Sequence, residues 1–427
     1  MLIYDAEVDG RRIDVRLAGG VVAEIGSGIE RQRDEEVLDA GGGALIPGLH
    51  DHHVHLRAMA AARASVVLKP GDDVGARLRS APPGWVRAIG YHESMAGPLD
   101  RWRLDALVGD RPVRVQHRTG ELWIVNSAAG REVGLGDDHD GRLWRQDDWL
   151  RERVPAVAHD LAAVGRDAAR RGVTGFTDTT PDRPAGDAAT LTDAGLPQRL
   201  HLMVPPDVDV PDSPLVTAGP VKVLLDDATL PPVDELATLF ADVASAGRNV
   251  AVHCVTRVQL IAVLAAGLRP GYRIEHGAVI PGELIGEVSR VGAVVVTQPN
   301  FAVERAEQYR ADVDPDDLDS LYRCRSLLDA GVAVAAGTDA PFGGADPWAA
   351  MRAAVARDLG PAERVDAATA LGLFLGAADA PATRRRIEPG APADLCLLGV
   401  PLAVGLEELD AANVRAAFVA GERATDS

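Results

Sequence analysis

Two histidines two residues apart, His53 and His55, close the apolar run that begins at Ala44 and passes through Ile46, Pro47, Gly48 and Leu49. On a β-strand, side chains at i and i+2 leave the same face, so these two rings converge on whatever lies beyond the strand's end. Two convergent imidazoles are half of a site for zinc or a neighbouring transition metal. Taken alone, the same His-x-His is equally readable as a His-rich surface turn. Other metal-capable groups end later candidate strands: His253 after Val250-Ala251-Val252, His276 after Arg273-Ile274-Glu275, and Asp339 after Gly337-Thr338. Each has a plain alternative, a hydrogen-bonded scaffold for the histidines and a turn former for an Asp that precedes Ala-Pro. Recurrence at several strand ends favours one shared site. Lys222 stands out for a different reason, because Lys69 and Lys222 are the only lysines among 44 basic residues. A lysine kept inside Val221-Lys222-Val223 offers what arginine cannot, an amine that loses its proton and reacts. Carboxylated by carbon dioxide, it would bridge two metal ions; paired with Asp226 or Asp227, it would be an ordinary buried cation.

Those groups must be held by strands, and the chain supplies them in two patterns. Up to about Ala44 it reads as short strands broken by Gly turns, such as Ile13 to Leu17 and Val21 to Ile25. Ala393 to Leu398 and Val414 to Ala420 read alike near the other end, so residues 1–48 and 384–427 are expected to form one β-sandwich. The intervening 49–383 alternates apolar strand runs with helical stretches, among them Leu161 to Arg171 and Val233 to Gly247, as a parallel α/β sheet or barrel does. Besides the strand of His53, seven candidates are Val113 to His117, Val173 to Asp178, Val221 to Leu225, Val250 to His253, Tyr272 to His276, Ala293 to Thr297 and Val332 to Asp339. Eight suffice for a (β/α)8 barrel, whose active site lies at the C-terminal ends of its strands. Trp85 to Tyr91 and Arg199 to Val204 are also strand-like and leave the choice of eight open, and 57–112 reads as an insertion over the site.

With 427 residues, 47% hydrophobic, the chain can bury a large core. Its net charge of −19 argues against nucleic acid or an anionic membrane as a partner and says little about a small-molecule substrate. Three widely separated cysteines match no disulfide or zinc-ribbon spacing. No stretch approaches the ~20 apolar residues of a membrane helix, and no basic-then-apolar leader opens the chain, so a soluble cytoplasmic protein is expected. A homodimer is the commonest assembly for such a chain.

Pro47 to Leu56 resembles the first-strand motif of the amidohydrolase superfamily, and Ile387-Glu388-Pro389-Gly390-Ala391-Pro392-Ala393-Asp394-Leu395 resembles its C-terminal sandwich signature. Arg111 to His117 with Asn126 to Ala129, Arg273 to His276 and Gly337 to Pro341 are similar to the branch typified by N-substituted formamide deformylase. The resemblance implies an α/β (β/α)8 barrel with a β-sandwich, and a metal-dependent hydrolase of a small molecule's carbon–nitrogen bond, an amide or N-formyl or N-acyl amine. It implies metal ligands at His53, His55, His253, His276 and Asp339, with Lys222 at the lysine that some members carboxylate. It also implies two zinc ions bridged by hydroxide and by that carbamate, with Asp339 moving the proton from attacking water to the leaving nitrogen. Substrate contacts are expected from His117, Glu121, Gln298, Asn300 and Phe342, against scaffold for His117 and simple solvation for Glu121. Two departures stand out: Gly120-Glu121 where relatives have His after Gly, and Asp226-Asp227-Ala228-Thr229 in place of Asp-Gly-Ser. A mononuclear deaminase of a heterocycle or guanidine-like group, with Lys222 unmodified, is the rival enzyme. A metal-free barrel serving as a scaffold is the rival from outside catalysis.

Overall fold

The two ends of the chain meet in two four-stranded sheets. Leu2–Val8, Arg11–Ala18, Val21–Gly26 and Val37–Asp39 form one, and Leu45–Pro47, Leu395–Leu398, Val414–Val419 and Glu422–Arg423 the other. Apolar side chains from both, including Ile3, Val15, Val22, Leu45, Leu397 and Phe418, fill one common core. Burial of that kind is what holds a small sandwich together, and Phe418→Ala at its fully buried centre would cost about 3–5 kcal/mol. The computed structural model describes residues 1–155, 159–181, 183–184 and 186–424.

From Leu49 the chain enters a parallel barrel. One arc pairs Leu49–Val54, Val173–Asp178, Arg199–Leu202 and Val216–Ala218; the other pairs Val221–Val223, Val250–Cys254, Arg273–His276, Val294–Thr297 and Ala333–Ala336. Val216–Ala218 and Val221–Val223 are two halves of one strand, interrupted at Gly219-Pro220, where proline has no N–H for the ladder. Eight strand positions result, and a parallel bridge between Val54 and Ala340 closes the ring. Helices follow the strands on the outside, as Val233–Ser245 does, burying Leu236, Phe240 and Val243 along one face.

The strand assignment differs from the sequence expectation at one place. Val113–His117 lies outside the barrel, and Arg199–Leu202 takes the vacant position. The reason is visible in burial: every residue of Val173–Asp178 is buried, as a barrel strand between core and helices must be, whereas Val113–His117 alternates.

Residues Arg57–Asp160 form a separate compact unit. Its five-stranded sheet runs in the order Arg142–Trp144, Leu122–Val125, Val113–His117, Val86–Tyr91, Val66–Val67. Leu78, Val86, Leu104, Val113, Val115 and Ile124 contribute to its own core. Buried Asn126 caps the following helix by accepting from Ala129 N–H at 3.0 Å and also accepts from Val113 N–H at 3.0 Å. Among the described residues, no helix is long and apolar enough to cross a membrane.

Candidate metal centre

The Leu49–Val54 strand is buried along its whole length and delivers His53, fully buried, to its C-terminal end, with His55 just beyond. Their ring centroids are 5.6 Å apart. Behind His53 stands Glu275, whose Oε2 lies 2.5 Å from His53 Nδ1. Arg273 in turn holds Glu275, donating from Nε to Oε1 at 2.6 Å and from Nη2 to the carbonyl of His52 at 2.8 Å. A carboxylate beside Nδ1 accepts its N–H, which keeps the ring's one proton there and leaves Nε2 as a lone pair pointing away from it.

That nitrogen is buried and has no hydrogen-bond partner, and neither has Asp339 Oδ1, 3.6 Å from it. His55 Nε2 lies 3.2 Å from the same oxygen. An uncompensated buried lone pair facing an uncompensated buried carboxylate oxygen is costly unless a cation sits between them. Imidazole nitrogens with a carboxylate oxygen are also the donor set that a zinc-like ion prefers. The residues present therefore fit a divalent ion.

Three more groups converge there. His276 lies against both His53 and His253, with centroids 4.6 Å away in each case. Its Nδ1 lies 2.8 Å from Gln298 Oε1, and the Gln298 amide donates to the Val296 carbonyl at 3.3 Å, so the amide oxygen faces the ring and accepts a hydrogen bond from Nδ1–H. Nε2 of His276 is thereby left as an acceptor. Burial holds His53 and His276 well below the ordinary histidine range and brings His253 down to about 4, with Lys222 adding to the effect at His53 and His253. All three rings are neutral, as ligands must be. Desolvation also lowers the Lys222 amine from the usual lysine range, against the pull of the Glu275 and Asp339 carboxylates.

Backbone geometry holds the set in place. His276 and Asp339 both adopt left-handed conformations, with φ of 70° and 55°, where non-glycine residues are strained and active-site residues are over-represented. Gly337 is required by close approach, since a Cβ there would meet His53 N at 2.4 Å. Across that contact Asp51 accepts from Thr338 N–H at 2.9 Å and from its hydroxyl at 2.6 Å. Asp339 N–H donates to the His53 carbonyl at 2.8 Å, and His55 N–H to the Ala340 carbonyl at 2.9 Å.

The five expected substrate contacts separate. Gln298 is fully buried and engaged with His276. Asn300, also buried, donates to the Thr338 carbonyl at 3.1 Å and so steadies the turn that carries Asp339. Phe342 is 46% exposed and meets the His55 ring edge-on at 5.2 Å. His117 and Glu121 belong to the Arg57–Asp160 unit, where His117 Nε2 lies 3.1 Å from Glu93 and Glu121 pairs with Arg145 at 2.8 Å. Glu275, Arg273 and Asp51 escaped the sequence reading as working parts. The one local sign of Arg273 and Glu275 was a charged i, i+2 pair on one face of the strand that ends at His276.

The amidohydrolase family model matches residues 36–424. N-substituted formamide deformylase of Arthrobacter pascens is 26% identical over 88% of this chain and 88% of its own. A dihydroorotase of Geobacter sp. is 39% identical over 38% of this chain and 41% of its own. Among solved structures, an uncharacterized metal-dependent hydrolase of Pyrococcus horikoshii superposes with a TM-score of 0.77 at 18% identity, over 93% of this chain and 97% of that one, a likeness of fold.

Proposed function

This chain belongs to the amidohydrolase family and is a metal-dependent hydrolase of carbon–nitrogen bonds, and we propose that its substrate is a small N-formyl or N-acyl amine. The name of the formamide deformylase relative supports that substrate class. In this reading His53, His55, His253, His276, Asp339 and a carboxylated Lys222 would hold two divalent ions, zinc or a close neighbour. The carrying observation is the buried, unpartnered pair His53 Nε2 and Asp339 Oδ1, 3.6 Å apart.

A divalent ion held there would supply Lewis acidity to the substrate carbonyl and lower the pKa of a bound water to about 7. The chain's own groups do the rest. Glu275 and Gln298 fix the ring orientations of His53 and His276 from behind. Asp339 accepts the proton of the attacking water at its carboxylate and returns it to the departing nitrogen, so that water and amide give a carboxylic acid and an amine. Phe342 offers an apolar edge beside His55 for the substrate's body.

The test is a panel of N-formyl and N-acyl amines and aminated heterocycles given to the metal-loaded enzyme, with amine and ammonia release followed separately. Amine release from the acylated compounds, falling roughly 10²–10⁴-fold in kcat in Asp339→Asn, is the expected result. Ammonia release from heterocycles with the N-acyl compounds left intact would overturn the substrate class.

A further inference from the structure

We propose that the Arg57–Asp160 unit carries a transition-metal site of its own, formed by Nε2 of His92, Nε2 of His117 and the carboxylate of Glu93. The parallel strands Val86–Tyr91 and Val113–His117 pair with Tyr91 opposite His117, so both strands end at the same level and their terminal side chains meet. His117 Nε2 lies 3.1 Å from Glu93 Oε2, His92 Nε2 lies 3.8 Å from it, and the two ring centroids are 5.7 Å apart. One donor atom from each of the three residues lies within 4.8 Å of the others. A tetrahedral zinc with ligands ~2.0–2.1 Å away needs donors about 3.3 Å apart, so the His117–Glu93 contact already fits while the His92–Glu93 and histidine-to-histidine separations have to tighten.

The same local device orients both rings. In His92-Glu93-Ser94 and in His117-Arg118-Thr119, Nδ1 lies 2.9 Å from the hydroxyl two residues on. The N–H of that second residue also points at Nδ1, at the longer distances of 3.2 and 3.3 Å. A hydroxyl donates to a bare Nδ1 or accepts from a protonated one. The hydroxyl serves either tautomer, so an ion at Nε2 moves the ring proton to Nδ1, where the hydroxyl accepts it and the weaker backbone N–H contact is given up; a polar partner at the second nitrogen is the usual arrangement of a metal-ligating histidine. Without an ion, His117 Nε2–H donates to Glu93 and the tautomer reverses. Two nitrogens and one carboxylate oxygen select an ion of the zinc, cobalt, nickel or copper class over magnesium or calcium, and leave a coordination position for water.

The experiment uses the full chain, stripped with chelator and titrated with zinc chloride, with bound zinc counted after gel filtration. The ions at the barrel centre are common to every variant, so the difference between proteins isolates this site. His117→Gln and Glu93→Gln are expected to bind one zinc equivalent fewer than the parent. Ser94→Ala and Thr119→Ala should keep the equivalent with affinity weakened roughly 10–100-fold. A second readout needs no variant: in the parent protein, zinc should shield His92 and His117 from diethylpyrocarbonate, read by peptide mass mapping. Equal zinc counts in parent and variants, with both histidines modified at the same rate with and without zinc, would overturn the proposal and leave Glu93 as a plain hydrogen-bond partner of His117.

Discussion

Glu275 is the residue on which the His53 ring depends, and its replacement separates orientation from ligation. Glu275→Gln keeps the size and removes the charge that draws the Nδ1 proton. Metal affinity, measured by competition with a chromogenic chelator, is expected to fall about 10–100-fold while the ligand count stays the same. Unchanged affinity would reduce Glu275 to scaffold. The two partners are 222 positions apart, which explains why the sequence exposed the ligand and hid its support. His53 and His55 announce themselves because the strand's two-residue period is local information. The carboxylate behind a ring is contributed by whichever strand lies next to it, and adjacency in a barrel is written in topology.

At the scale of elements, the same division holds. Val173–Asp178 and Val294–Thr297 were legible as barrel strands from their apolar runs, and helices at 161–169 and 233–245 from their periodicity. Val113–His117 misled because a short run of valines alternating with polar residues fits a half-buried sheet as well as a barrel. Smaller elements are held by single side chains that no pattern reveals. The short 3-10 turn Pro361–Glu363 presents Glu363, buried, to Arg323 at 2.6 Å, the Ser326 hydroxyl at 2.6 Å and the Cys324 and Ser326 N–H groups at 3.1 and 3.0 Å. Burial alone would raise this carboxyl, and the Ser326 and Arg323 bonds prevail, holding it below the usual range. Glu363→Ala is expected to cost about 3–5 kcal/mol in urea unfolding, since Arg323 is left without its partner. A lowered carboxyl stabilises the fold fully above its unfolded value of about 4.3, and that contribution disappears as pH falls through the lower folded value. The gap between parent and variant should therefore narrow below about pH 4; a gap independent of pH would contradict the ionised state assigned to Glu363.

For the molecule as a whole, the ring closes at the centre's own address. Asp51 reaches Thr338 across 287 positions, and the His53–Asp339 and His55–Ala340 backbone bonds lie beside it. Removing metal should loosen this seam before anything else, because the unpartnered lone pair and carboxylate then confront each other without a cation. Amide hydrogen exchange at His55 and Asp339 is expected to speed up in chelated protein while exchange at Leu397 and Phe418, in the sandwich core, is unchanged. Uniform acceleration would show a global loss of stability instead. The seam also has a consequence for biosynthesis. His53 leaves the ribosome 286 residues ahead of Asp339, so through that interval the nascent chain holds scattered imidazoles and no working centre. Capture of the ion becomes a late event that marks a finished barrel, and chains halted before Asp339 would be left unable to complete it.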